Sequence, residues 1–95
     1  MSELFQTLHP DEDKMGVRID KTKYDVMRKT ILGIVHRCGR ITFSELAAQV
    51  REQLNGKFDG SVMWYYTTVK LDLEMRGEIR RVPGSRRQLL ESARN

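Results

Sequence analysis

The tightest constraint in this chain is a helix stop and a helix start placed three residues apart. Tyr24, Met27, Ile31, Ile34, Val35 and Cys38 recur at helical spacing and are followed at once by Gly39. A glycine there supplies the left-handed residue on which many helices end. Thr42-Phe43-Ser44-Glu45 then reads as a capping box, in which the threonine oxygen accepts an orphan amide and the glutamate reaches back. Ile41 and Leu46 occupy the two positions of a hydrophobic staple around it. Two helices joined by so short a link bury their apolar stripes in one core.

The remaining elements follow from this anchor. The first helix is expected over residues 23–38, with Thr22 and Asp25 as its capping pair. Gly33 lies inside it at a cost of about 1 kcal/mol relative to alanine, and reads as a mark of close packing. Cys38, on the apolar stripe, reads as a small core residue. The second helix buries Phe43, Leu46, Ala47, Val50 and Leu54 and stops at Asn55-Gly56. A loop follows with Phe58 turned inward. Ser61 caps a third helix that reaches Arg76 and ends at Gly77. Tyr66, Val69 and Leu73 form its main stripe, while Trp64, Thr68, Leu71 and Met75 form a second stripe on another face. One small core rarely needs both.

After Gly77 the pattern changes. Glu78-Ile79-Arg80-Arg81-Val82 and Arg87-Gln88-Leu89-Leu90 read as two strands about the turn signal Pro83-Gly84-Ser85. Pro-Gly favours a type II turn, so the loop is expected to be longer than a two-residue hairpin. Arg40-Ile41-Thr42 can add a third strand to that hairpin. The fold class expected is α+β, mainly α: a three-helix core with a small C-terminal antiparallel hairpin. Residues 1–19 read as a flexible or partly extended segment, 20–91 as the domain and 92–95 as a tail.

Composition bounds the function. With 95 residues there is room for one modest core. The balance of 39% hydrophobic and 32% charged residues is neither that of a disordered chain nor that of a membrane protein. No apolar run approaches the ~18 residues of a spanning helix. The N-terminal stretch lacks the order of a secretion signal, and a lone cysteine fits a reducing compartment, so a cytoplasmic protein with no membrane partner is expected. The net charge of +4 is unevenly placed: Glu3, Asp11, Glu12 and Asp13 lie at one end, and Arg76, Arg80, Arg81, Arg86, Arg87 and Arg94 at the other. Such an end reads either as a phosphate-binding surface or as a solvated hairpin whose charges guard its edges.

The order of elements, together with Ile41-Thr42-Phe43-Ser44-Glu45-Leu46 and Leu73-Glu74-Met75-Arg76-Gly77-Glu78-Ile79-Arg80, resembles the winged-helix variant of the helix-turn-helix class. Phe58-Asp59-Gly60-Ser61, Trp64-Tyr65 and Val69-Lys70-Leu71-Asp72-Leu73-Glu74 are similar to a family of small bacterial proteins of uncharacterised function. The winged-helix resemblance implies that the third helix enters the major groove of double-stranded DNA and that the wing touches the backbone. Carried over by position, it implies groove contacts at Ser61, Met63, Tyr65, Thr67 and Thr68. Wing contacts would come from Arg81, Ser85, Arg86 and Arg87.

Three features stand against that implication. The third helix sets Lys70 and Arg76 against Asp72 and Glu74, so it is formally neutral. The connection from Asn55 to Gly60 is longer than the usual turn. Lys70 takes a position that is commonly apolar in this fold, so it must reach solvent or meet a carboxylate such as Asp72 or Glu74.

No constellation points to an enzyme. His36 and Cys38 cannot complete a zinc site, and His9 lies in the tail. Cys38 lacks a base and an orienting group. Asp72 and Glu74, two apart on a helix, diverge and form no acid–base pair. Neither a catalytic residue, a metal, a cofactor nor a small-molecule substrate is expected. Two expectations remain. One is a DNA-associated regulator working through helix three and a basic wing. The other is a protein-interaction module, binding itself as a homodimer or another protein, that uses Trp64, Leu71 and Met75. The second stripe can equally be covered by the N-terminal segment through Leu4, Phe5, Leu8 or Val17.

Overall fold

The computed structural model describes residues 3–9, 16–84 and 88–93. In chain order its elements are β1 (Leu4–Gln6), β2 (Arg18–Asp20), α1 (Lys21–Cys38), β3 (Arg40–Thr42), α2 (Phe43–Leu54), α3 (Val62–Met75), β4 (Ile79–Arg81) and β5 (Leu89–Ser92). The result is an α+β fold, mainly helical, with two small antiparallel sheets.

The Thr42 cap opens α2 where the sequence places it, through the threonine half of the expected capping box. The Thr42 side chain accepts from the Glu45 amide at 3.1 Å, and Ile41 and Leu46 are both buried beside it. Ser61 likewise caps α3, its hydroxyl accepting from the Trp64 amide at 3.2 Å. The start of α1 differs from expectation. Asp20, not Thr22, is the cap, accepting from the Lys23 amide at 3.1 Å. The cause lies outside the helix. β1 pairs with β2 so that Leu4 faces Asp20, and the Lys21 amide donates to the Glu3 carbonyl at 2.8 Å. That pairing carries the chain straight from strand into helix two residues early, and Asp25 pairs instead with Lys21 at 2.8 Å.

The three helices meet over Tyr24, Met27, Ile31, Ile34 and Val35 of α1, Leu46, Val50 and Leu54 of α2, and Tyr66, Val69 and Leu73 of α3. The second sheet, ordered β3-β5-β4, closes one end of this core. Its central strand places Leu90 between Ile41 and Arg81, and Ile41, Ile79 and Leu90 are all buried. The third strand foreseen at Ile41 is therefore present, and the connection from Val82 to Gln88 exceeds a two-residue turn.

Two readings of α1 need correction. A Cβ at Gly33 would meet nothing within 4 Å, so no close packing explains that glycine. Cys38 is exposed rather than in the core; it is the last residue of α1, one turn beyond the buried Val35, where the stripe has run past its covering neighbours.

Candidate functional site on the third helix

The packing of α3 decides what it can offer a partner. Tyr66, Val69 and Leu73 point into the core, and Lys70 and Asp72 flank them, also buried. At 100° per residue the opposite side of the helix carries Trp64, Leu71 and Met75, with Thr67 and Thr68 at its two margins. Trp64 and Met75 are 46% and 47% exposed. This outer face carries no charged side chain.

Each buried charge has its own set of partners. Burying a carboxylate costs several kcal/mol unless it is paired and hydrogen-bonded. Asp72 accepts from the Leu8 amide at 2.8 Å, from Arg76 Nε at 2.9 and 3.0 Å, and from the Tyr24 hydroxyl. Burial, reinforced by the Asp72 carboxylate, holds the Tyr24 hydroxyl protonated well above its ordinary range. Arg76 in turn donates to the Gln6 carbonyl at 3.2 Å and lies over the Phe5 ring, which stacks on Tyr24 at 4.0 Å. One carboxylate thus ties α3, α1 and the β1 segment together.

Lys70 sits on the opposite flank. Its ammonium lies 3.1 Å from Glu74 Oε1, donates to the Gln88 side chain and stands 5.1 Å from the centre of the Phe43 ring. It therefore meets a carboxylate, as its position demands. Burial still lowers its pKa, with Glu74 opposing that shift. The Tyr66 hydroxyl donates to the Phe43 carbonyl at 2.9 Å nearby, and burial raises its pKa.

The sequence-derived contact residues separate on this frame. Thr67 is exposed at one edge of the outer face and Thr68 half-buried at the other. Ser61 is exposed but engaged as the α3 cap. Met63 is half-buried against the core. Tyr65 is held edge-on between Phe58, at 5.1 Å, and Trp64, at 4.9 Å, with Lys23 over its ring at 5.5 Å. Arg81 is exposed, 3.9 Å from Glu74. Ser85, Arg86 and Arg87 lie outside the described residues. Trp64, Leu71 and Met75 come together on the outer face, and of the expected DNA contacts only Thr67 and Thr68 adjoin them.

The described arginines of the second sheet stand beside carboxylates. Arg80 reaches Glu91 at 2.6 Å and Arg40 reaches it at 3.1 Å; these contacts hold the Glu91 carboxyl below its usual range. An open groove bounded by Phe5, Lys21, Asp25, Arg28, Arg76 and Glu78 is equally self-neutralised, through Lys21–Asp25, Arg28–Glu78 and Arg76–Asp72.

Leu8 and Val17 flank the outer face and, with Trp64, Thr68 and Leu71, line a shallow cavity of about 190 Å³. They cover only part of it: Trp64 remains about half exposed. Phe5 does not serve as cover, being stacked on Tyr24, and Leu4 is 65% exposed. Sequence reasoning missed Gly16. A Cβ there would fall 1.9 Å from the Thr7 carbonyl oxygen, so only glycine lets the two segments approach. Among the described residues no three His, Cys, Asp or Glu side chains cluster as metal ligands, and no helix is long and apolar enough to cross a membrane.

The class this defines is a small α+β domain with an apolar face on its third helix. The family model for the family of unknown function DUF6958 matches residues 5–89, and the chain belongs to that family. No curated protein matches it.

Proposed function

We propose that this chain is a winged-helix domain that works as a protein-interaction module through the outer face of α3. The winged-helix assignment is supported by the order α1, β3, α2, α3, β4, β5, with β3 completing the sheet of the terminal hairpin. The observation that carries the interaction reading is that Trp64 and Met75 are half exposed on a face without a cation. A helix that enters a groove lined by phosphates gains most of its affinity from positive charge. This one offers apolar surface instead, which marks a protein-binding patch. A reducing cytoplasm suits the module's exposed thiol, Cys38.

A second reading, association with double-stranded DNA, is supported by the exposed Arg81 guanidinium and the outward Thr67. Fluorescence anisotropy with mixed-sequence duplex DNA at low and raised salt separates the two. The interaction module shows no titratable binding at low salt. Micromolar binding with a steep salt slope, lost on Arg81→Glu, overturns it in favour of the DNA reading.

A further inference from the structure

We infer that the occupant of the α3 outer face is a second copy of this chain, its α3 laid antiparallel against the first. The inference rests on the interaction reading above and names its partner. Trp64, Thr68, Leu71 and Met75 are spaced four, three and four, the seam of a two-helix coiled coil. This set is self-complementary. A two-fold axis passing between Val69 and Lys70 brings Trp64 opposite Met75 of the second copy and Thr68 opposite its Leu71, so two equal contacts form at once.

The surface has a receptor as well as an insert. The cavity, whose walls include Leu8, His9, Val17, Trp64, Thr68 and Leu71, measures about 190 Å³. It is smaller than the ~300–1,000 Å³ of small-molecule sites and suits a single side chain. The two-fold axis aims the exposed Met75 of the second copy at its Trp64 wall. Charge agrees with this pairing. Each chain carries +4, and copies that meet on a strip without ionised groups avoid the repulsion their remaining surfaces would impose.

Area sets the strength. Leu8, Val17, Trp64 and Met75 are 40%, 39%, 46% and 47% exposed. Together they offer roughly 300 Å² of apolar surface per copy. A pair buries about twice that in apolar area, which at roughly 60% apolar makes a total of about 1,000 Å², below the ~1,200 Å² of a standard stable complex. The dimer is therefore weak and depends on concentration.

Sedimentation equilibrium of the full chain, from micromolar to millimolar, tests this. The mass is expected to rise from 11.1 kDa towards twice that value. Met75→Glu should weaken association at least about tenfold. Trp64→Glu is the second variant should the first fail to fold, and circular dichroism checks both. Orientation is read by oxidation on a Cys38→Ser background. A mixture of Trp64→Cys and Met75→Cys chains should cross-link while neither does alone, since 11 helical residues separate the like positions by about 16 Å. A wild-type chain that stays monomeric to millimolar overturns the second copy, as do like-with-like cross-links. Neither result touches the interaction reading, which falls only to DNA binding in the anisotropy titration.

Discussion

The two small sheets of this molecule are attached by different forces. The β3-β5-β4 sheet is part of the core: Ile41, Ile79 and Leu90 are buried among the helices. The β1–β2 ladder touches the core only at its edge, through Ile19 and the Phe5 ring stacked on Tyr24, and is otherwise held by a set of polar contacts that converge on Asp72. Apolar burial has no direction and tolerates small shifts. Hydrogen bonds to one buried carboxylate demand geometry, and their loss strands several groups at once. The β3-β5-β4 sheet should therefore fail only with the whole domain, and the β1–β2 ladder should be separable from it.

The largest effect is expected for Leu90→Ala, which removes the residue where all three strands of the core sheet meet. It should cost about 2–5 kcal/mol, with no partly folded species in a urea titration followed by fluorescence and circular dichroism. Release of the hairpin alone would break the comparison. Asp72→Ala comes next, at about 2 kcal/mol, because the Tyr24 hydroxyl and the Leu8 amide lose their acceptor while the partly exposed Arg76 regains water. Hydrogen exchange should show the amides of Thr7 and Leu8 opening and that of Leu90 unchanged. Gly16→Ala should act in the same place through sterics alone, at roughly 1–3 kcal/mol, as the new Cβ pushes against the Thr7 carbonyl. If its effect spreads to Leu90, the ladder is not separable.

The smallest effect is one of pH. Above pH 10 the unfolded chain loses the Tyr24 proton while the folded chain keeps it, so the unfolded state binds fewer protons and stability falls as pH rises. Tyr24→Phe should flatten that decline between pH 9.5 and pH 11, a window set by the ordinary tyrosine value near 10. Urea midpoints of wild type and variant read it directly. The buried Lys70 ammonium contributes with the opposite sign, so the difference between the two proteins is the diagnostic quantity. An unchanged slope would mean that the Tyr24 hydroxyl is neither buried nor bound to Asp72 in solution.

Of the candidate site, the four outer residues were legible as a second apolar stripe at helical spacing. Their common surface with Thr67 was not, because position alone assigned Ser61, Met63 and Tyr65 to the same face, and those three are used by the cap and by packing. Leu8 and Val17 were legible only as apolar residues in want of a neighbour.

The sequence by itself determined the order of the three helices, the start of α2 after Thr42 and the inner stripe of α3. Those signals are local: a cap and a period act within a few residues, whatever the rest of the chain does. Only the tertiary structure decided that Asp20 caps α1, that Cys38 falls outside the core and that Asp72 is a buried junction between α3, α1 and the β1 segment. The partners of Asp72 lie 48 and 64 residues away, at Tyr24 and Leu8. Arg76, one turn on, is the local donor to this carboxylate, and the others that make its burial tolerable are brought to it by folding.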